Sequence, residues 1–143
     1  LIVDVDQFSV EKTVILNYPE ILEHAIVLFG MRSGGVEASL IHEGRMTDYR
    51  LYTMDPSADP TWAVYAYLHY LQDRGIPDPA ALILHGVDIQ KDMIATLRAE
   101  TGIKQTVALN AVRKLPVAKS VPALLVKESH RFGAAIGLAL RTQ

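Results

Sequence analysis

Four carboxylates occupy positions that could serve chemistry. Asp4 and Asp6 flank the end of the apolar run Leu1–Val5, Asp88 follows the apolar stretch Ala81–Leu84, and Glu37 lies between them in sequence. Carboxylates converging on Mg²⁺ would support metal-assisted hydrolysis or phosphoryl transfer. Each also has a plainer reading: a solvated strand end for Asp4, a helix cap for Asp6 or Asp88. Ser33-Gly34-Gly35 is a short glycine-rich turn whose bare N–H groups could point at an anion. It reads equally as a tight turn. Ser33 has no His or Asp partner at a telling spacing, so it is not read as a nucleophile. The chain has no cysteine, which excludes disulfides, thiolate zinc sites and a Cys nucleophile. Its five histidines, at 24, 42, 69, 85 and 130, show neither HxxxH nor HExxH spacing, so no metal site is expected. No catalytic residue is assigned.

These residues must be positioned by a globular framework. The 143 residues are 50% apolar and 21% charged, enough for one domain with a substantial core. A net charge of −2 argues against a nucleic-acid surface. No apolar run reaches the ~20 residues of a membrane span, the longest being Phe132–Leu140, and no signal peptide is visible. The chain opens without methionine inside what reads as a strand, so a single domain over 1–143, cut from a longer chain, is expected.

After Leu1–Val5, Asp6 or Ser9 is expected to cap an amphipathic stretch with Phe8, Val10, Val14 and Ile15 apolar, and Pro19 to open a short turn. Ala25–Met31 is continuously apolar and reads as a central strand buried on both faces. Val36–His42 and Arg45–Met54 follow across short glycine turns, making an antiparallel meander. Asp59 and Pro60 signal a helix start; Trp62, Val64, Tyr65, Leu68 and Leu71 fall at helical spacing; Gly75 closes the helix. Trp62 and Tyr65 read as core. Tyr67 and Tyr70 fall between the apolar positions and are the candidates for a partner interface.

Ala81–Leu84 is a buried strand. A helix beginning at Asp88 or Ile89 follows, with Ile89, Met93, Ile94 and Leu97 inward and Gly102 as terminator. Lys104–Leu109 is an edge-like strand, with Val107 and Leu109 on one face. Asn110–Pro122 is a long connection in which Arg113, Lys114 and Lys119 read as a solvated loop, or as a face toward anionic lipid if the protein works beside a membrane. One closing helix is expected over Ala123–Leu140. In it Gly133 and Gly137 share a face, each costing about 1 kcal/mol relative to Ala, which points to very close packing against a sheet or another backbone. Parallel β-α units joined to an antiparallel meander give an α/β fold, a mixed five-stranded sheet with helices on both faces.

The β-β-β-α-β-α-β-α order is similar to the ribonuclease-H-like half-domain of the actin-like ATPases. Three segments resemble the PilM type of actin-like protein, found in type IV pilus assembly, with a related domain in type II secretion. They are Val3-Asp-Val-Asp-Gln-Phe8, the hairpin Ile26–Met46 ending in Glu43-Gly44-Arg45, and Gly133-Ala-Ala-Ile-Gly-Leu-Ala-Leu-Arg141. The resemblance covers most of this chain but only the second half of a full PilM. It implies a cytoplasmic protein at the inner face of the cell membrane, with a groove that takes the short cytoplasmic tail of PilN, an inner-membrane protein.

The departures are as informative. Where the family carries Asp-Ile-Gly near metal and phosphates, this chain reads Phe29-Gly30-Met31. Where the family places a Gly-Gly pair against adenosine, it reads His85-Gly86-Val87-Asp88. The resemblance therefore implies a degenerate nucleotide cleft formed by Gly30, Ser33, Gly34, Gly35, Gly86 and Asp88. The expected function is a non-catalytic scaffold domain without a cofactor, binding a PilN-like tail or a second copy of itself, on the aromatic helix or the hairpin edge. The alternative is an active ATPase domain using ATP and Mg²⁺, completed by a missing N-terminal half. A third reading is a stand-alone ribonuclease-H-like enzyme working through Asp4, Asp6, Glu37 and Asp88.

Overall fold

The computed structural model describes residues 5–141, with side chains over 8–140. The strand expected to open the chain, and Asp4 with it, lie outside the described residues except at Val5, which begins a helix. The elements run α1 (Val5–Asn17), a 3₁₀ turn (Pro19–Ile21), β1 (Ile26–Arg32), β2 (Gly35–His42), β3 (Arg45–Thr53), α2 (Thr61–Asp73), β4 (Ala81–Gly86), α3 (Lys91–Thr101), β5 (Gln105–Ala108), α4 (Ala123–Lys127), a second 3₁₀ turn (Ser129–Phe132) and α5 (Gly133–Arg141).

The strands form one mixed five-stranded sheet, as expected, and their order is β3-β2-β1-β4-β5. β1 pairs antiparallel with β2, β2 antiparallel with β3, and β1 and β5 each pair parallel with β4. The continuous apolar run of β1 is explained by its central place, since both its faces are covered. On one face, Val27, Phe29, Leu82 and Leu84 pack against Tyr67 and Leu71 of α2 and Leu97 of α3. On the other, Ile26, Leu28, Ile41 and Ile83 pack against Val10 and Val14 of α1 and Ile136 of α5. Val107 and Leu109 both join this second cluster, and β5 is an edge strand.

Four local expectations are corrected. Asp6 and Ser9 do not cap α1: the helix starts at Val5, and Ser9 lies buried inside it. Asp88 does not cap α3. It is exposed in the left-handed region at φ 55°, and α3 starts only at Lys91. The closing helix is not continuous: Glu128, at φ −96° and ψ 18°, breaks it, and the buried Ser129 hydroxyl accepts the Ala111 N–H at 3.1 Å.

The fourth concerns α2, whose sheet-facing side is Ala63, Val64, Tyr67 and Leu71, turned by about one position from the expected stripe. Trp62 is 44% exposed and meets Tyr52 edge-on at 5.6 Å. Tyr67 is completely buried. At the helix start Asp59 does act as expected, its Oδ1 accepting the Thr61 N–H at 2.9 Å. That bond holds the carboxyl below the usual carboxylate range.

Three of the five residues Ser9, Val10, Thr13, Val14 and Asn17 on the buried face of α1 are polar. The polar members pin the C-terminal part of the chain. Thr13 Oγ1 lies 2.8 Å from the Gly133 carbonyl; Asn17 Nδ2 donates to the Ala111 carbonyl at 3.0 Å, and Asn17 Oδ1 accepts the Lys114 N–H at 2.8 Å. Satisfying these buried groups makes a close α1–α5 approach tolerable.

Candidate functional site

The chemistry-bearing residues meet where β1, β2 and β4 end together. Glu37 of β2, Gly30 of β1 and His85 of β4 are direct cross-strand partners, so all three face the α1–α5 side in one row. Gly30 makes the row possible. A Cβ on it would lie 2.7 Å from Cε1 and 2.8 Å from Nε2 of His85, and 3.3 Å from Glu37 Oε2. The glycine thus leaves space that the imidazole occupies.

Glu37 and His85 are only 2% and 8% exposed. A carboxylate this deep needs compensation. Arg32 supplies it through an ion pair to Oε1, and the Tyr49 hydroxyl donates to the same oxygen at 3.3 Å. On the α5 side, His130 Nδ1 lies 3.1 Å from the Gly86 carbonyl, which makes Nδ1 the donor.

Five of the six residues expected in the cleft border two separate recesses at the β1 end, both also lined by Met31 and Arg32. Gly30 and Gly86, with Glu37, His85 and Arg131, border one of about 160 Å³. Ser33, Gly34 and Asp88, with Met54 and Met93, border the other, of about 200 Å³. Gly35 belongs to neither: it pairs with Thr53, and a Cβ on it would stand 3.1 Å from the Tyr52 carbonyl oxygen.

Gly86 has φ 96°, and a Cβ there would fall 2.1 Å from the Met31 carbonyl oxygen, which accepts the Val87 N–H at 3.0 Å. Its glycine is demanded by the approach of β4 to β1. Phe29 is fully buried and packs edge-on against Tyr67 at 5.9 Å. Among the described residues no three His, Asp or Glu gather as metal ligands.

The two tyrosines expected at an interface face the sheet instead. The Tyr67 hydroxyl donates to Asp48 Oδ2 at 2.8 Å; burial first, and then the Asp48 carboxylate, push its pKa well up. Tyr70 is half-buried, donates to Asp48 Oδ1 at 3.2 Å, and has the Arg50 guanidinium 3.8 Å over its ring. The reason is the α2 phase described above: positions 63, 64, 67 and 71 face the sheet. His85 and Arg32 were missed as members of the site. The available signals were a histidine closing an otherwise apolar strand, and Glu37 inside the apolar run of β2.

No protein-family model matches the sequence, and neither does any curated relative. Solved structures match at the level of fold, and that fold is the actin-like ATPase fold. One match is to the structure of the PilM-PilN type IV pilus biogenesis complex, with TM-score 0.78 and 14% identity, covering 99% of this chain and 52% of that one. Another is a Bacteroides thetaiotaomicron protein with actin-like ATPase fold and unknown function, with TM-score 0.50 and 13% identity, covering 74% of this chain and 37% of that one. The chain therefore spans about half the length of the pilus-complex chain it matches.

Proposed function

We propose that this chain is the actin-like scaffold domain of a type IV pilus or type II secretion assembly, acting through protein surfaces and without phosphoryl transfer. The observation that carries the reading is the match of almost the whole chain to a chain of the PilM-PilN complex. The site chemistry supports it. The row at the strand ends holds a buried carboxylate, Glu37, that is already paired with Arg32, and the neighbouring β1 position is the fully buried Phe29, which offers no ligand to a Mg²⁺–nucleotide. The residues present suit that cofactor poorly.

The partner in this reading is a PilN-like cytoplasmic tail, which places the protein at the inner face of the membrane. The surface that suits an extended tail is the outer edge of β3, where Leu51 is 54% exposed and one side of the strand lies at the sheet edge. A second reading, a live ATPase, draws on one observation: Ser33, Gly34 and Asp88 border a recess at the C-terminal ends of parallel strands.

Calorimetry on the intact protein separates the two. The scaffold reading expects a synthetic PilN-like tail to bind, Leu51→Asp to weaken it, and no phosphate to be released from Mg²⁺–ATP. Steady ATP turnover would establish the second reading in its place.

A further inference from the structure

From residue 101 to residue 127 the chain has no acidic residue and five basic ones: Lys104, Arg113, Lys114, Lys119 and Lys127. The chain holds 14 basic and 16 acidic residues in all, so outside this stretch nine basic residues face all sixteen acids. A nearly neutral protein has gathered its positive charge in one segment.

The fold uses part of that charge. Arg113 pairs with Glu20, donates to the Asn17 carbonyl at 2.8 Å and lies over the Tyr18 ring. Lys114 is drawn toward Glu20 as well. Lys119 and Lys127 are exposed and make no ion pair among the described residues. Glu128, the first acid after the stretch, is paired with Arg131 at 3.5 Å.

The same segment leaves large apolar side chains in water. Leu124 is 61% exposed, and Val117, Val121, Leu125 and Phe132 between 38% and 45%. Val117, Val121, Leu125 and Phe132, with Leu115, Val126 and Ile136, line a recess of about 370 Å³ in which Ser129 is the one polar side chain, while Leu124 borders the neighbouring recess beside Lys127 and Asp92. An apolar patch of this kind marks a surface that something covers.

We infer that this face, the 112–127 connection with α4, rests on an anionic lipid surface. Leu124 and Leu125, adjacent and exposed in a short helix, with Lys119 before and Lys127 after them in the sequence, provide the two signals interfacial binding needs, apolar insertion and positive charge. A sheet of anionic headgroups meets both together without requiring acids at fixed positions, and the acid-free stretch complements it. The inference is independent of tail binding, which uses the β3 edge.

The test is flotation of the intact protein with phosphatidylcholine vesicles, with and without about one-third phosphatidylglycerol. Binding is expected only with the anionic lipid, and release at high salt. Lys119→Glu with Lys127→Glu should weaken binding about 25-fold or more, each lysine contributing about fivefold near such a surface. Leu124→Ser with Leu125→Ser should abolish it while circular dichroism shows the fold intact. Absence of binding to anionic vesicles, or equal binding by all variants, overturns the inference. So does lipid-free self-association that the leucine variant abolishes, because the face is then an interface between copies.

Discussion

The contact of α1 with α5 allows a prediction whose sign opposes helix propensity. Gly137 lies inside α5 and Gly133 is its first residue; replacing a helix-interior glycine with alanine ordinarily gains about 1 kcal/mol, and less at a helix start. At Gly137 a Cβ would stand 1.7 Å from the Ser9 carbonyl oxygen, 2.4 Å from its carbon and 3.0 Å from Ser9 Cα, against an ordinary contact of 3.4 Å or more. The obstacle is backbone, so one helix must shift bodily. That shift strains the Thr13 contact with Gly133 and the buried face around Val10. Overpacking costs about 1–3 kcal/mol, and rigid backbone places this case at about 3. Net of the propensity gain, Gly137→Ala should destabilise by about 2 kcal/mol. At Gly133 the obstacle is Leu109 Cδ2 at 2.7 Å, the far end of a side chain that can turn. There strain and propensity nearly cancel, leaving a change within about 0.5 kcal/mol of zero. Urea unfolding of the two variants beside the parent measures both, with a Tm lowered by about 6 °C for Gly137→Ala alone. If Gly137→Ala is neutral or stabilising, the α1–α5 contact described here is wrong.

Asp59→Ala should cost about 1 kcal/mol through loss of the α2 cap. Because the folded-state pKa of Asp59 is lowered, its contribution is present above the ordinary carboxylate pKa and is lost as pH falls through the folded value. The difference between parent and variant in urea should therefore close in acid; a gap that persists there counts against the cap. Tyr67→Phe should cost about 2 kcal/mol, since it takes a hydroxyl from a carboxylate. Tyr70→Phe, at 3.2 Å and half-buried, should cost less, and equal effects would show that burial does not set the difference. Phenolate absorbance should show Tyr65 titrating at about 12, pushed up by burial and then by its bond to Glu100, and Tyr67 higher still. Raised phenol values favour folding fully below a pH of about 10 and lose that contribution as pH rises through the folded-state values. Six tyrosines titrating together near 10 would exclude these contacts.

The order of elements was readable along the chain because each signal is local. An unbroken apolar run marks a strand covered on both faces, short glycine turns mark a meander, and Asp59 and Gly75 punctuate a helix. The glycines of α5 announced a close approach, because a helix does not carry two such residues on one face without a neighbour that needs the space. What local pattern could not fix was phase and company. A turn of about one position in α2 exchanged Trp62 for Tyr67 in the core, because aromatic residues at positions 62, 65, 67 and 70 leave the buried face of the helix undetermined until the sheet meets it. The break at Glu128 depends on Ser129 reaching Ala111 across the fold. Gly30 and Gly86 are glycines in the sequence for any reason at all; only the register of β2, β1 and β4 shows that one makes room for His85 and the other for the Met31 carbonyl. Strand pairing brings Glu37 and His85, 48 positions apart in the chain, into a single row on either side of Gly30, and that row exists only once the sheet has formed.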